Sequence, residues 1–552
     1  MDTNLLFFFT AAATVFLLWK ILTYGNRPKN FPPGPPTVPF LGNLLRMPTT
    51  NFHLEFQKLA KQCQLHINIQ RRILTSEADG PIMSMKLGGQ NFFLLNDPKV
   101  VRDLIEKRSS NYSCRPDMYV RHFGDNLNIA LRDNDEIWRR QRKMYHVRLN
   151  VQSADRYLPY QHFDSLQLLD DLLSSPKDWD GHIFRYTASI STALLYGWRT
   201  PKTGTGYVKD LLRWMEVTSE AINFHVVDIF PFLRGIYHAI PWWVLPGKRK
   251  LRDLQNLENR VFFDLLDRAK DKIATGEANP CFINDMLLDK DSDRLNDRQI
   301  ANNAAHGFGA AMDTSANTLM GFVKAMILFP EIQAKAQEEI DRVIGPSRLP
   351  TWDDRSDLPY VRGVVEETLR WAPSTLSAAV PHSAKQDDFY NGMFIPKGAV
   401  LMMNVWTLNH ERFENSRVFD PLRQRPETTL KENNAISQDS PSRLHFTFGA
   451  GRRVCPGFHV AERNLFIAIS RILWGFSITR EMDVSGNPVP IDRDAVTHGL
   501  IVRPAKFGCT FKPRDTVREN VIRESWSTAK KDLDSEGNFK PEFVKRLFPD
   551  SK

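Results

Sequence analysis

Apolar positions recur at helical spacing along most of the chain, and they predict a mainly helical protein. Residues 155–288 follow this pattern almost throughout. Three more helices are predicted at Asp297–Phe329, Pro359–Trp371 and the largely buried Phe458–Trp474. Shorter runs predict strands at Met83–Leu95, Ser374–Val380, Met393–Gly398 and Val400–Trp406. We therefore expect a mainly α fold with smaller β-sheets.

The amino-terminal segment, residues 5–22, is apolar except for Lys20. A helix of this length, about 27 Å, matches the hydrocarbon thickness of a bilayer if Lys20 snorkels. A cleaved signal peptide is the alternative, but Asp2 precedes the apolar run and no clear Ala-x-Ala site follows it. We expect a transmembrane anchor, and the basic residues at its end place the rest of the chain in the cytosol: Lys20, Arg27 and Lys29.

The chain divides into four predicted parts. Residues 1–24 form the membrane anchor, and residues 25–40, with the stiff run Phe31–Pro36, form a Pro-rich hinge. Residues 41–514 form one large domain, because the chemical motifs within them must meet at one ligand. Residues 515–552 are a highly charged extension, expected to be a surface tail or an appended helix.

Composition narrows the class of protein. The 552 residues are 42% hydrophobic and 25% charged, with a net charge of +9. No basic run is interleaved with aromatic residues, so a nucleic-acid-binding role is not expected, whereas an anionic membrane surface or an acidic redox partner fits. The five cysteines are widely spaced and form no Cys-x-x-Cys pair, which argues against a disulfide framework or a zinc site. The large domain is therefore expected to face a reducing compartment.

One loop, Phe448–Gly457, carries the strongest chemical signal. It holds Cys455 between glycines, with Arg453 two residues earlier and an apolar helix just after it. Glycines at 449, 451 and 457 permit backbone angles that a side chain would forbid, and close approach to a flat ligand. A lone cysteine is more often a small buried hydrophobic residue. Here, however, the following helix dipole would favour a thiolate, which indicates a cysteine that ligates as an anion.

The pattern Phe-x-x-Gly-x-Arg-x-Cys-x-Gly resembles the haem-binding loop of the cytochrome P-450 family. All five fixed positions match: Phe448, Gly451, Arg453, Cys455 and Gly457. The resemblance implies the cytochrome P-450 fold and a haem b whose iron takes Cys455 as its axial thiolate. It also implies that Arg453 pairs with a haem propionate and that Phe448 packs near the sulfur. Among family members, the chain is most similar to fungal enzymes of secondary metabolism such as the O-methylsterigmatocystin oxidoreductase type.

Two further segments fit the same family. Trp138 and Arg142 stand four apart on a predicted helix, a spacing that usually means surface packing, but they resemble the Trp-x-x-x-Arg pair that binds a propionate. In the helix from Asp297, the adjacent Asp313 and Thr314 resemble the acid–alcohol pair that delivers protons to bound oxygen. Ala311 departs from the family pattern, which usually has glycine there.

Two supporting features complete the resemblance. Glu367 and Arg370 share a helix face and resemble the structural Glu-x-x-Arg of the family, with Arg423 as the expected third member of a buried charge network. His382 occupies a position where the family often has a residue that reaches a propionate. A single histidine is more often a surface or capping residue, and only the family context favours the propionate role.

The resemblance covers roughly residues 31–514 and implies a monooxygenase. We expect it to insert one atom of dioxygen into an apolar small molecule. The chain has no Gly-x-Gly-x-x-Gly after a strand, so electrons must come from a partner, expected to be NADPH-cytochrome P-450 reductase. The expected location is the endoplasmic reticulum membrane, single-pass, with a cytosolic catalytic domain.

Two other functions remain open at this point. One is a haem-thiolate isomerase or dehydratase that does not use dioxygen, which the intact Asp313–Thr314 pair argues against. The other is a non-catalytic haem-binding sensor, which would need neither an acid–alcohol pair nor an electron donor. A requirement for NADPH separates the monooxygenase from both.

Overall fold

The computed structural model describes residues 3–48, 51–71, 81–122, 125–204, 206–222, 225–289, 295–423 and 443–548. Its α-helices, in chain order, are α1 Thr3–Tyr24, α2 Phe52–Arg71, α3 Pro98–Val100, α4 Ser109–Tyr112, α5 Glu136–Leu149, α6 Val151–Ala154, α7 Leu158–Ser174, α8 Trp179–Tyr196, α9 Gly206–Ala221, α10 Val226–Ile229, α11 Arg234–Ala239, α12 Pro246–Ala274, α13 Phe282–Leu287, α14 Asp297–Leu328, α15 Pro330–Val343, α16 Pro359–Trp371, α17 Val405–His410, α18 Phe458–Gly475, α19 Thr516–Ala529 and α20 Pro541–Leu547.

Three small sheets accompany the helices. The strands are β1 Ile82–Leu87, β2 Gln90–Leu95, β3 His382–Ser383, β4 Asp388–Tyr390, β5 Met393–Ile395, β6 Val400–Met403, β7 Phe476–Arg480 and β8 Cys509–Pro513. The largest sheet has the order β1-β2-β6-β3, with β2 and β6 parallel and the other pairs antiparallel. β4 pairs with β5, and β7 pairs with β8. The prediction of a mainly α fold with smaller sheets is confirmed.

The centre of the molecule is a stack of long helices around α14. This helix has 32 residues, and Asn296 caps it by accepting from the amide of Gln299 at 2.9 Å. Most of its side chains are buried, and the core that it shares with α7, α8, α16 and α18 contains Phe322, Trp371 and Trp474. Because α18 follows the cysteine loop directly, this core fixes the position of that loop.

Helix bounds match the sequence predictions closely, and the short strands match less well. α16 has the predicted ends, and α14 and α18 differ from prediction by one residue each. Met83–Leu95 is a hairpin of two strands, turned at Gly88 with a φ of +54°. The strand predicted at Ser374–Val380 is wrong: consecutive residues Ala378 and Ala379 have φ of +56° and +61°, which interrupts an extended backbone.

α1 is the one helix in the described ranges that is long and apolar enough to cross a membrane. Its segment Phe7–Tyr24 has a mean hydropathy of 1.6, and none of that segment is buried inside the protein. At the end of α1 the Tyr24 ring lies 5.6 Å from the ring of Phe40 and 5.7 Å from that of Phe232. The apolar helix therefore meets the large domain at an aromatic cluster.

Candidate haem site

The cysteine loop is a tight turn that depends on two glycines. Gly449 and Gly451 have φ of +74° and +63°, a region that side chains disfavour. A Cβ on Gly451 would also lie 2.3 Å from the carbonyl oxygen of Ile105. Gly457 differs: its φ is −95°, so the prediction that its backbone angles require glycine is wrong. A Cβ there would meet only the Leu149 side chain, at an ordinary 3.9 Å.

The loop holds Cys455 at the start of α18. The Cys455 amide donates to the carbonyl oxygen of Phe448 at 2.9 Å, which closes the turn. Burial raises the pKa of the Cys455 thiol, whereas the Gly457 backbone N–H and the Arg142 guanidinium lower it. The residue is nevertheless partly accessible. This is a thiol that a cation or metal ion bound beside it would convert to a thiolate.

Helix α5 brings Trp138 and Arg142 to this loop. Asp135 caps the helix by accepting from the Trp138 amide at 2.8 Å. The Trp138 indole N–H donates to the carbonyl oxygen of Ile129 at 3.2 Å, and Arg142 donates to the carbonyl oxygen of Val454. The helix thus places both predicted residues against the loop, although their hydrogen bonds go to backbone oxygens.

Arg453 is largely buried beside Trp138. Its guanidinium donates to the carbonyl oxygens of Ser113 and Arg132, each at 3.0 Å, and lies 4.0 Å from the centre of the Trp138 ring. Burial lowers the pKa of Arg453 to about 10, and the Asp133 carboxylate partly opposes this shift. Asp133 does not reach ion-pair distance of Arg453, so the charge is compensated mainly by carbonyl dipoles.

A third cation, Arg115, completes this group, and sequence reasoning did not assign it a role. Its guanidinium donates to the carbonyl oxygens of Ala130 at 2.8 Å and Pro381 at 2.9 Å. Burial and the nearby Arg453 lower the pKa of Arg115 well below its ordinary value. Its only distinctive sequence feature is its place before Pro116, which restricts the Arg115 backbone but does not indicate the partners of its side chain.

We call three arginines the cationic cluster: Arg115, Arg142 and Arg453. None of the three guanidiniums forms an ion pair with a carboxylate among the residues that the structure describes. Guanidiniums that are buried, as in Arg115, or mostly buried, as in Arg142 and Arg453, and that have only carbonyl partners are electrostatically costly. A ligand that brings carboxylates to this place would relieve that cost.

His382 is buried, and its tautomer limits what it can do. Nδ1 lies 2.7 Å from the carbonyl oxygen of Tyr112, which only accepts, so Nδ1 carries the proton. Burial and the adjacent Arg115 lower the pKa of His382 to about 3, which keeps the ring neutral. Nε2 is then an acceptor. To donate to a carboxylate His382 must gain a second proton, which the negative charge of that carboxylate would favour.

Helix α14 has an accessible surface at the predicted acid–alcohol segment. Ala310 is exposed in the middle of an otherwise buried helix, and Ala311, Asp313 and Thr314 are partly exposed. Gly309 faces elsewhere, because a Cβ on it would lie 3.0 Å from the Trp214 ring. The space beside α14 is therefore bounded by the two alanines and the acid–alcohol pair rather than by Gly309.

Asp313 and Thr314 have different surroundings. Burial raises the pKa of the Asp313 carboxyl, while the Arg503 guanidinium and the Asn317 amide lower it. The Thr314 hydroxyl donates to the carbonyl oxygen of Ala310 at 2.6 Å. A partly exposed carboxyl next to a hydroxyl that is hydrogen-bonded to the backbone is suited to passing protons.

The predicted charge network is confirmed and supports the cysteine loop. Arg370 donates two hydrogen bonds of 2.7 Å to the Glu367 carboxylate, and Arg423 donates a third at 3.2 Å. Arg370 also donates to the carbonyl oxygen of Asn409 at 2.9 Å, and the Asn409 side chain accepts from the amide of Phe446 at 2.8 Å. The network thus ends at the residues that begin the loop.

These features fit a haem. The cationic cluster lacks carboxylate partners, which two propionates would provide, and Cys455 offers a sulfur at a helix N-terminus. The space beside Ala310 gives room on α14 for a flat ligand or its substrate. The chemistry of the donor set and its unpaired charge are those that a haem with thiolate ligation requires.

Comparisons with known proteins agree with this geometry. A family model described as Cytochrome P450 matches residues 32–507. The chain is 36% identical to cytochrome P-450 monooxygenase virE of Hypocrea virens over 97% of this chain and 95% of that protein. It is 34% identical to cytochrome P-450 monooxygenase fogE of Aspergillus ruber over 95% of this chain and 94% of that protein.

The fold comparison gives the same answer. A zebrafish cytochrome P-450 solved with progesterone has a TM-score of 0.64 at 20% identity, covering 84% of this chain and 99% of that chain. At that identity the match concerns the fold alone. The fold, the matched family model and the near full-length relatives together show that the chain belongs to the cytochrome P-450 monooxygenase family.

Proposed function

We propose that the protein is a haem-thiolate monooxygenase in which Cys455 is the axial ligand of a haem b. The observation that supports this most directly is the set of mostly buried guanidiniums without carboxylate partners beside Cys455, a partly exposed residue. Bound there, the haem would supply the iron at which dioxygen is activated. The remaining roles belong to the residues of the chain.

Arg453, Arg142, Trp138 and His382 would hold the two propionates. Arg453 and Arg142 bring positive charge, and the neighbouring carbonyl oxygens already orient both guanidiniums. Since the Nδ1–H of His382 is fixed by Tyr112, its Nε2 would donate only after protonation. Phe448, Gly451 and Gly457 would shape the loop that presents the sulfur.

Asp313 and Thr314 would deliver protons. Asp313 is partly exposed on α14, so it can exchange a proton between solvent and the space beside that helix. Thr314, held by the Ala310 carbonyl, would pass that proton or orient a water molecule. General acid–base groups of this kind typically contribute about 10² to 10⁴ in rate.

The partners follow from what the chain does not carry. Electrons would come from NADPH-cytochrome P-450 reductase, and the substrate would be an apolar small molecule of fungal secondary metabolism, a class consistent with the fungal relatives. Residues 1–24 would anchor the protein in the endoplasmic reticulum membrane, single-pass, with residues 25–40 as the hinge and the catalytic domain, residues 41–514, in the cytosol.

Oxygen labelling tests the proposal. Membranes with the protein and the reductase receive NADPH, ¹⁸O₂ and an organic-solvent extract of the apolar metabolites of the source organism. We expect one ¹⁸O atom in a product. Asp313→Asn and Thr314→Val should lower labelling by about 10². Thr318→Val is the matched control, because Thr318 is buried one turn further on and its hydroxyl donates to the Thr314 carbonyl oxygen.

The other outcomes overturn the proposal. A product that forms without dioxygen or NADPH would identify a haem-thiolate isomerase or dehydratase. Haem binding with no product from any metabolite would identify a sensor. If the Asp313 and Thr314 variants incorporate as much ¹⁸O as the Thr318 control, neither residue delivers protons.

A further inference from the structure

The carboxy-terminal extension lies outside the matched family model, which ends at residue 507. It is not a detached tail. α19 is followed by a turn in which Leu533 bridges to Phe539, and then by α20. Its apolar side chains are buried in the same core as α8, α12 and α14: Trp526, Phe539, Phe543, Val544 and Phe548.

Aromatic contacts join the extension to α7. The Phe539 ring stacks on Tyr160 with centroids 5.3 Å apart, and Phe543 lies 5.2 Å from Phe163. Trp526 lies 5.9 Å from Phe163. Aromatic pairs of this kind add about 0.5–1.5 kcal/mol each beyond the burial of their area. One face of α7 is therefore covered by the extension.

Arg199, at the end of the α8 region, is enclosed by both elements. It donates to the buried carboxylate of Asp164 on α7 at 2.7 Å and to the carbonyl oxygen of Gly537 in the extension at 2.9 Å. Its guanidinium lies 4.8 Å from the Phe163 ring and 5.5 Å from the Phe539 ring. A buried ion pair is thus closed on its outer side by residues of the extension.

α7 in turn holds the start of α18. The Gln161 side chain donates to the carbonyl oxygen of Val460 at 3.2 Å, five residues after Cys455. Further along α18, Arg471 donates to the carbonyl oxygen of His162 at 2.9 Å and to the Ser165 hydroxyl at 2.6 Å. The position of α18 is therefore set by the helix that the extension covers.

The extension also contacts the other end of α18 directly. A Cβ on Gly475 would lie 3.1 Å from Ile522 of α19, so the two helices are in close contact there. The Arg518 guanidinium lies 5.6 Å from the centre of the Trp474 ring. Both ends of α18 are thus held, one by α19 itself and one through α7.

From these contacts we infer that residues 515–548 position α18, and with it the cysteine loop that leads directly into α18. The inference rests on the proposed ligand role of Cys455. Cys455 lies three residues before Phe458, the first residue of α18, and its amide closes the loop on the Phe448 carbonyl oxygen, so a shift or fraying of the first turn of α18 displaces the loop. The residues of the extension are positioning residues that touch neither substrate nor cofactor.

Two readouts on full-length variants test this inference. We define two extension variants. Trp526→Ala lies within the extension, and Arg199→Lys loses the planar fork that also reaches the Gly537 carbonyl oxygen of the extension, while keeping the charge opposite Asp164. The matched control is Phe56→Ala, a buried aromatic residue in a separate cluster against β1 and β2. Each protein is compared at the same number of degrees below its own unfolding midpoint, so that general loss of stability is equal.

The first readout is hydrogen–deuterium exchange of the amides of residues 458–464. We expect at least tenfold faster exchange in both extension variants and no change in Phe56→Ala. The second is the rate at which the red-shifted Soret band of the reduced carbonyl complex is lost, expected to be at least threefold faster in the extension variants. Equal exchange in all three proteins would overturn the inference. If the extension variants exchange faster but no protein shows the red-shifted band, the positioning of α18 by the extension is supported and the proposed thiolate ligation is refuted.

Discussion

The guanidinium of Arg453 lies 4.0 Å from the centre of the Trp138 indole ring, and both side chains donate to the carbonyl oxygen of Ile129, at 3.4 and 3.2 Å. This arrangement joins the cysteine loop to α5 through protein atoms alone. It also places the aromatic face under a buried cation that has no carboxylate partner in the described structure, where a cation–π contact contributes up to about 2 kcal/mol.

Trp138 variants separate the ring from its N–H group. Trp138→Phe keeps an aromatic face under Arg453 and removes one hydrogen bond, so we expect a loss of about 1 kcal/mol in unfolding free energy. Trp138→Ala also removes the buried ring and should cost about 3–5 kcal/mol, with a lower haem-to-protein ratio. Thermal unfolding and haem content check this. Equal losses in the two variants would show that the N–H, not the ring, carries the contact.

The two motif glycines flanking Cys455 should respond differently to the same change. Gly451→Ala places a Cβ 2.3 Å from the Ile105 carbonyl oxygen at a φ of +63°, and it should lower stability by about 1–3 kcal/mol or more. Gly457→Ala meets only a 3.9 Å contact with Leu149 and should unfold within a few degrees of the natural protein.

The haem content of the Gly457→Ala protein then shows why the chain has glycine at position 457. A Gly457→Ala protein that folds normally but binds haem poorly would mean that this glycine serves the ligand rather than the chain. If Gly457→Ala destabilises the protein as strongly as Gly451→Ala, then neither backbone angle nor Cβ contact explains which glycines the loop requires.

Replacing Glu367, the acid of the buried charge network, should strongly lower the free energy of unfolding. Glu367→Gln leaves Arg370 and Arg423 buried without a carboxylate, at a cost of about 3–5 kcal/mol. Glu338→Gln, an exposed position on the neighbouring helix α15, is the control and should change unfolding free energy by less than about 0.5 kcal/mol. Denaturant unfolding of both proteins measures the difference, and similar midpoints would contradict the role of the network.

Most of this site could be predicted from the sequence, because its parts are local. The Cys455 turn, the Trp138–Arg142 spacing and the Glu367–Arg370 pair each depend on residues close in the chain, which fix a turn or one helix face. Arg115 could not be found in this way. Its partners are carbonyl oxygens of residues 130 and 381, and nothing in local spacing indicates that the fold brings them together.

The extension shows the same limit on a larger scale. Its charged composition predicted a tail or an appended helix, but the aromatic residues that bury it are spread over Trp526, Phe539, Phe543 and Phe548. Their partners, Tyr160 and Phe163, lie more than three hundred residues earlier in the chain. Long-range pairing of this kind leaves no periodic pattern. The wrong strand at Ser374–Val380 has a related cause, since apolar residues also fill buried loops.

Acid should destabilise the protein through its buried histidines. Burial and Arg471 lower the pKa of His162 to about 3, well below the unfolded value near 6.5. Above pH 6.5 His162 is neutral in both states; as pH falls from 6.5 toward 3, the unfolded chain binds a proton that the folded chain does not. Unfolding free energy should then fall by up to about 1.4 kcal/mol per pH unit from this residue.

Variants of two residues that contact Arg471 isolate the contribution of His162. Arg471 donates to His162 Nδ1 at 2.9 Å and to the Ser165 hydroxyl at 2.6 Å. His162→Gln should reduce the acid slope between pH 6 and pH 4, whereas Ser165→Ala loses an Arg471 contact without a titrating group and should keep the full slope. Parallel stability curves for the two variants would exclude His162 as a source of the acid sensitivity.

The central claim is that Cys455 ligates a haem iron as a thiolate. The most direct test is the visible spectrum of the full-length protein in membranes, reduced and then exposed to carbon monoxide, beside Cys455→Ala prepared in the same way. We predict a strongly red-shifted Soret band that the variant lacks. A band typical of histidine-ligated haem, or the same band in Cys455→Ala, would contradict thiolate ligation by Cys455.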